Sequence, residues 1–304
     1  MDYYIAKHLQ CCSYSLNFNT ASISVRMTVS NTITAELVYF APPKDGSKPF
    51  THINADPLTG QRPQNWTQEP HEVQIENLRG KEDSVTLDTA GFQFGKEAAK
   101  HTSFTNDDEV EREYYPESIE LVKRITGASR IVPFDHTIRR RRPGQVDDSP
   151  QKRQPVPQVH VDQTPKSSVA RVHRHLPASD APELLKHRFQ IINLWRPISV
   201  PAYDWPLALC DFRSIDAKND LEPVTLRYPD RDGETFGVKY NPDHKWKYVK
   251  GLTPEEFVLI KCFDSQDDGK TALLTPHTAF PDPSTPSDAP LRESIELRLL
   301  VFYD

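Results

Sequence analysis

Hydrophobic and polar positions alternate in short runs along most of this chain. In residues 32–40, Ile33, Ala35, Leu37 and Tyr39 interleave with Thr34 and Glu36, and Ala41-Pro42-Pro43-Lys44-Asp45-Gly46 closes the run with turn residues. A period of two puts successive side chains on opposite faces, so this stretch is expected to be a half-buried strand. Residues 71–77 alternate in the same way, and residues 91–95 make a short strand with Phe92 and Phe94 on one face. Helical spacing is clearest over residues 107–125. There Val110, Tyr114, Ile119, Leu121, Val122 and Ile125 fall near one stripe, with acidic residues crowded at the start, where the helix dipole favours them. Pro116 should divide this window into two helices or kink it, because proline has no amide hydrogen for the preceding turn.

Strand patterns resume over residues 129–139 and continue at 189–197, 207–213, 246–249, 257–264, 272–280 and 292–303. Residues 224–228 and 236–240 read as a hairpin around Asp230-Arg231-Asp232-Gly233. Short helices are expected at 181–187 and after Thr253, where Pro254 and Glu256 give a capping signature. Strands at regular short spacing argue for a closed or double-sheet β structure. The 27 prolines against 11 glycines favour rigid connections between them.

The chain carries 37 Lys and Arg against 43 Asp and Glu, a formal net charge of −6. That balance offers no electrostatic footprint for nucleic acid or an anionic membrane, so the expected partner is a small molecule. The run Arg139-Arg140-Arg141-Arg142, with no aromatics interleaved, is read as a solvated loop that covers the site, at the start of a linker over residues 139–157. Cys11 and Cys12 are adjacent while Cys210 and Cys262 are isolated, a spacing that suits a reducing compartment. No run of about 18 apolar residues occurs, and Met1-Asp2-Tyr3-Tyr4 lacks the features of an export signal, which points to the cytoplasm. Residues 1–27 are polar and aperiodic; they are expected to be a disordered or atypical extension, with Met27 as an alternative start. Oligomeric state is not readable.

The candidate chemistry is distributed over three distant stretches. In Gln158-Val159-His160-Val161-Asp162 a strand breaks into a loop, and alternation sets the His160 imidazole beside the Asp162 carboxylate. Pro276-His277-Thr278 supplies a distal histidine, and Arg292-Glu293-Ser294 follows on the last strand. Two histidines and one carboxylate on one face of an octahedron, with three positions open, is the arrangement of non-haem Fe(II) oxygenases. If the co-substrate is 2-oxoglutarate, its keto-acid end takes two of those positions and its far carboxylate needs a fixed cation. Arg292 offers a guanidinium fork for it, and Ser294, two residues on, a hydroxyl on the same face. Arg298 shares that face on a regular strand and competes for the role; Arg292 is preferred because Ser294 adjoins it. This scheme expects His277 and Arg292 on adjacent strands.

Arg171 and Arg174 are candidates for binding an acidic substrate or steadying the co-substrate. Asn193 and Trp195, on one strand face, are candidates for lining the pocket, with core packing as the other reading of Trp195. His136, His173, His175, His187 and His244 have no partner at ligand spacing and are taken as structural or exposed. The same His160, Asp162 and His277 would also suit a hydrolytic zinc ion, which leaves Arg292 and Ser294 unexplained. In a metal-free jelly-roll binding module they would be plain polar residues.

Seven strings resemble one family: Val159-His160-Val161-Asp162-Gln163, Asn193-Leu194-Trp195-Arg196-Pro197, Leu207-Ala208-Leu209-Cys210-Asp211, Tyr240-Asn241-Pro242, Lys261-Cys262-Phe263-Asp264-Ser265, Pro276-His277-Thr278-Ala279-Phe280 and Arg292-Glu293-Ser294-Ile295-Glu296. They are similar to the fungal oxygenases typified by gibberellin desaturase and the hydroxylase/desaturase enzymes of secondary-metabolite clusters, with a bacterial cephalosporin 7-alpha-methoxylation subunit as a distant relative. The resemblance runs from about Leu37 to Tyr303. It implies a mainly β fold, a double-stranded β-helix (jelly roll, cupin-like) with a few flanking helices, as one domain over residues 28–304 with a flexible loop at 143–157. It also implies an enzyme that uses Fe(II), 2-oxoglutarate and O₂ to hydroxylate or desaturate an unactivated C–H position of a small natural product, releasing succinate. Metal binding carries over to His160, Asp162 and His277, and the co-substrate clamp to Arg292 with Ser294 beside it. The polyarginine run and the first 26 residues lie outside the pattern. The ligands do not choose between hydroxylation, desaturation and ring formation, nor do they identify the substrate.

Overall fold

Alternating patterns become paired strands wherever one or both faces can be covered. In chain order the strands are β1 (Thr32–Ala41), β2 (Phe50–His52), β3 (Thr67–Asn77), β4 (Phe92–Lys96), β5 (Arg130–Arg140), β6 (His160–Val161), β7 (Phe189–Pro197), β8 (Leu207–Cys210), β9 (Leu221–Arg227), β10 (Asp232–Val238), β11 (Trp246–Tyr248), β12 (Glu256–Asp264), β13 (His277–Ala279) and β14 (Glu293–Phe302). The computed structural model describes residues 31–304 apart from Pro57, Val146 and Asp148. The expectations for residues 1–27, Cys11 and Cys12 lie outside the described residues.

Nine strands pair in the order β1-β3-β11-β8-β13-β6-β10-β9-β2 and five in the order β4-β12-β7-β14-β5. The chain crosses between the sheets repeatedly: β6, β8 and β13 belong to the larger, and β7, β12 and β14 to the smaller. The result is a jelly-roll, double-stranded β-helix core with flanking helices. The smaller sheet is covered on both faces. On β7, Ile192 and Leu194 join Leu297 and Leu299 of β14 in a cluster with Tyr114, Leu121 and Val122 on the helical side. Trp195 points the other way, into the interior cluster with Val258 and Ile260 of the same sheet and Leu209 of the larger one. Each aliphatic side chain withdrawn in this manner contributes about 2 kcal/mol. The same alternation leaves Asn193, Ser294, Glu296 and Arg298 facing inward, where the site forms.

The helical window begins with α1 (Asp107–Glu109), whose first turn is capped by the Asn106 side chain accepting from the Asp108 amide. It widens through a π turn, Val110–Tyr114, into α2 (Tyr115–Thr126). The division expected at Pro116 takes this form because the Tyr115 amide bonds Val110 O, one residue further back than in an α-helix, just before the residue that has no amide to offer.

A helix without a sequence expectation, α3 (Pro165–His175), follows the His-x-Asp strand. Its residues carry little apolar periodicity. Its signal lay in the cap, where the side chains of Thr164 and Ser167 bond each other's backbone amides reciprocally ahead of Pro165 in the first turn. The next helix, α4 (Ala181–Leu184), is shorter than the expected 181–187. No helix forms after Thr253. The Thr253 amide does bond Glu256 Oε2 at 2.8 Å, as a capping signature requires, but Glu256 opens β12 and its carboxylate also receives Arg79.

The arginine run is not a solvated loop. Arg139 and Arg140 complete β5, opposite Ser294 and Glu293 of β14. Arg139 Nη1 bonds Gln154 O at 3.0 Å, Arg140 Nη2 bonds Phe104 O at 2.8 Å, and Arg141 pairs with Asp204 at 2.5 Å with its guanidinium over Trp205. The strand pairing of residues 130–140 carries these charges against the fold, which a reading by composition alone misjudged.

Candidate active site

His160 opens β6 and stands directly across the ladder from His277 of β13, so the two imidazoles are a cross-strand pair with ring centroids 4.5 Å apart. Asp162 follows where β6 ends, and its Oδ1 lies 3.3 Å from His160 Nε2. One donor atom from each of the three residues lies within 4.8 Å of the others. Two ligands at right angles on a first-row ion are ~3 Å apart, so this grouping is close to a facial set before any ion is added.

Both rings are oriented from behind. His160 Nδ1 donates to Gln158 O at 2.7 Å and His277 Nδ1 donates to Thr275 O at 3.0 Å, since a carbonyl only accepts. In the neutral ring each Nε2 is then a bare lone pair facing the cluster, the tautomer a metal ligand needs. Asp162 is divided similarly. Asn193 Nδ2 donates to Oδ2 at 2.8 Å and Arg298 Nε approaches it at 3.5 Å, leaving Oδ1 to the histidines. The donor set, its tautomers and its partial opening to solvent fit a divalent iron with open positions. His160 and Asp162 side chains are 23% and 15% exposed, whereas His277 is buried.

The charges of the three groups act on one another. Burial alone would raise the Asp162 pKa, but the hydrogen bond with His160 and the charges of Arg298 and His277 hold it well below the usual carboxylate range. Burial opposes protonation of His160, which the bond and charge of Asp162 overcome so that its pKa rises; burial and His160 together push His277 down.

Arg292 lies just before β14, 2% exposed, with its guanidinium over the Trp195 ring at 5.3 Å. Nη1 donates to Trp205 O at 2.6 Å, Nε to Ser294 Oγ at 3.3 Å, and its backbone amide to Asp204. Among the described residues no carboxylate pairs with this guanidinium. Burial, then the nearby charge of Arg139, pushes its pKa down to about 9. Arg298 differs in every respect: it is bonded to Glu296, to Asp135 at 3.2 Å and to Thr137 Oγ1 at 2.9 Å, and its pKa is raised by these carboxylates against the effect of burial.

The expected neighbourhood of His277 and Arg292 on adjacent strands is not found. β13 lies in the nine-stranded sheet and β14 in the five-stranded one, because the chain crosses between the sheets after β13. Of the remaining candidates, Asn193 contacts Asp162, Trp195 packs beneath Arg292 in the interior, and Arg171 and Arg174 project from α3 into a cleft that reaches Asp162. Sequence reasoning missed Arg139, a cation close enough to act on both Arg292 and Asp162. Its signal was the strand pattern that continues into the arginine run.

A family profile described as oxidoreductase/YMDC permease-like domain matches residues 37–302. Hydroxylase/desaturase efuI of Hormonema carpetanum is 34% identical over 296 residues, covering 90% of this chain and 96% of that protein. Fe(II)/2-oxoglutarate-dependent dioxygenase nvfI of Aspergillus novofumigatus is 35% identical over 283 residues, covering 91% and 99%. A solved structure of the iron and alpha-ketoglutarate-dependent endoperoxidase NvfI superposes with a TM-score of 0.79 at 31% identity, over 90% of this chain and 98% of that one. With the iron-type triad and the jelly roll already in place, these similarities show that the chain belongs to the fungal hydroxylase/desaturase family of Fe(II)/2-oxoglutarate-dependent oxygenases.

Proposed function

We propose that this oxygenase holds Fe(II) through His160 Nε2, Asp162 Oδ1 and His277 Nε2, and oxidises an unactivated C–H position of a small natural product in secondary metabolism by hydroxylation or desaturation. The observation that carries the ligand assignment is the back-bonding of both Nδ1 atoms to carbonyls, which leaves two Nε2 lone pairs and one carboxylate oxygen converging. When bound, the iron supplies the redox chemistry that couples decarboxylation of 2-oxoglutarate with O₂ to removal of a substrate hydrogen.

The protein's part is positioning. Arg292 receives the far carboxylate of 2-oxoglutarate: its fork is stacked on Trp195, buried, and without a carboxylate of its own among the described residues. Ser294 steers the guanidinium by accepting from Nε. Arg139 adds a second positive charge to the same region. Arg298 is already saturated with Glu296, Asp135 and Asp162, and serves to fix the carboxylate ligand. A hydrolytic zinc site would leave the buried Arg292 without an occupant.

No helix among the described residues is long and apolar enough to cross a membrane. The two described cysteines, Cys210 and Cys262, are free and buried, which supports a cytoplasmic setting. We expect no nucleic-acid partner. Incubation with Fe(II), 2-oxoglutarate and O₂ should yield succinate, and His160→Ala should abolish it. Retention of succinate production by that variant would remove the ligand assignment. Mass spectrometry of candidate metabolites, read for gain of one oxygen or loss of two hydrogens, decides the outcome of the oxidation.

A further inference from the structure

The cleft that leads to Asp162 has an uneven charge balance. Pro165 starts α3 three residues after Asp162, so one wall of the cleft is fixed in register with the metal carboxylate. Ser167, Ala170, Arg171 and Arg174 have the spacing of one helix face and line this wall, and the β9–β10 hairpin, with Tyr228 and Arg231, forms the other. The hairpin side is neutralised: Lys48 pairs with Glu234 at 3.5 Å and Arg231 with Asp230 at 3.0 Å. The helix side is not. Among the described residues Lys166, Arg171 and Arg174 have no ion-pair partner, and the one further lining carboxylate, Asp232, is exposed to solvent.

Arg171 is the informative member. Its guanidinium lies over the Phe134 ring at 5.3 Å, which fixes its plane, yet it makes no hydrogen bond to a described residue. Burial, then the charges of Arg174 and Arg298, push its pKa down against the opposing influence of Tyr228 and Asp135, neither of which forms a hydrogen bond or ion pair with it. Such a group costs free energy until an anion joins it. A carboxylate suits the fork, accepting two parallel hydrogen bonds. The cleft volume, about 140 Å³, compares with ~30 Å³ for each water in the liquid, so it has room for a carboxylate with its adjoining carbons.

We propose that the substrate is a carboxylic acid whose carboxylate is held by Arg171, with Arg174 beside it, so that the carbon to be oxidised is presented at Asp162. This rests on the oxygenase reading above and names the class of substrate that site accepts. The 2-oxoglutarate carboxylate is not a competitor for these residues, since it is assigned to Arg292, which stacks on Trp195 and does not line this cleft.

The test measures calorimetric binding to the Fe(II)- and 2-oxoglutarate-loaded enzyme without oxygen, using 2-naphthoate and the neutral 2-naphthalenemethanol as probes. The acid should bind about 10- to 100-fold more tightly than the alcohol, the range of charge-assisted hydrogen bonds. Arg171→Met removes the guanidinium while keeping an unbranched side chain, and should erase that preference; Arg174→Gln, at an exposed position, should reduce it several-fold. Equal affinity for the two probes in the unaltered protein, including no measurable binding of either, overturns the proposal. So does an Arg171→Met protein that keeps the preference, or one that loses 2-oxoglutarate affinity instead. If Arg171→Met does not fold, the probe comparison in the unaltered protein and Arg174→Gln still decide. Failure of the unaltered protein to form succinate from 2-oxoglutarate would sink the oxygenase reading itself, a result separate from any of these.

Discussion

Asn193 donates its side-chain amide to Asp162 Oδ2 across 2.8 Å, from β7 of one sheet to the end of β6 in the other. The bond spans the sandwich and decides which carboxylate oxygen faces His160. Asn193 is fully buried and its own Oδ1 has no partner among the described residues, so the amide is oriented chiefly by this one contact. Asn193→Leu should leave Asp162 free to rotate and weaken Fe(II) binding about 10- to 100-fold, the usual cost of losing an outer-shell partner. Anaerobic titration of Fe(II) measures this. Unchanged affinity would mean that Arg298 alone suffices to hold Asp162.

Arg292, just before β14, and Arg298, six positions on within it, should separate cleanly when tested. Arg292→Met removes an unpaired buried cation and its fork, and should weaken 2-oxoglutarate by about 3 kcal/mol, roughly 150-fold, while Fe(II) affinity stays near that of the unaltered protein. Arg298→Met removes a partner of Asp162 and leaves Glu296 buried without its bond. Its main loss should be in Fe(II) affinity and stability. Reversal of the two profiles would transfer the clamp to Arg298.

Gly91 controls His277 at second hand. Its φ is +88°, a conformation side chains rarely adopt, and a Cβ there would stand 2.3 Å from Thr275 Oγ1 and 2.6 Å from Leu274 O. Thr275 Oγ1 donates to Gly91 O, and Thr275 O in turn accepts from His277 Nδ1. Gly91→Ala must therefore displace the segment that fixes the imidazole. It should cost about 1–3 kcal/mol in urea unfolding and also lower Fe(II) affinity. A stability loss with intact metal binding would show that His277 is held well enough by β6 and β8.

Much of this site was readable before the fold was known, for reasons that differ by residue. The convergence of His160, Asp162 and His277 was readable from a His-x-Asp strand and a distal histidine, though the same three residues also suit a zinc ion. Strands such as β7 and β14 declared themselves through near-continuous apolar runs, which burial on both faces produces. Other features depended on pairing between distant segments. The contrast between the surroundings of Arg292 and Arg298 comes from Glu296, Asp135 and Asp162 meeting around one guanidinium, and no spacing along β14 reveals that. Helix α3 was hidden because its charged face lines a cleft instead of meeting open solvent, so only Thr164, Pro165 and Ser167 marked it. Arg139 was misjudged with its three neighbours because a charge run is defined by composition, while its burial is defined by β5 pairing with β14.

Lys261 on β12 is fully buried, and its ammonium bonds Asp264 Oδ2 at 2.8 Å and Asp88 Oδ1 at 3.0 Å. Asp264 also receives Arg188 through both oxygens and Gln190 through Oδ2, tying β12 to β7. Burial would raise the Asp264 pKa, but Arg188, Lys261 and Gln190 overcome it, and the folded value falls below the ordinary one. A carboxylate with a depressed folded pKa contributes stability that is fully present above its unfolded pKa, about 3.9, and is lost as pH falls through the lower folded value. Asp264→Asn should be destabilised by about 3–5 kcal/mol at pH 7, because Lys261 is left buried with only the exposed Asp88. Below pH 4 the gap between the two proteins should narrow, since the native carboxylate is then losing its charge as well. Urea unfolding of both proteins at pH 7 and at successive steps below pH 4 measures it. A gap that stays constant across that range would show that Asp264 acts through packing and not through its charge.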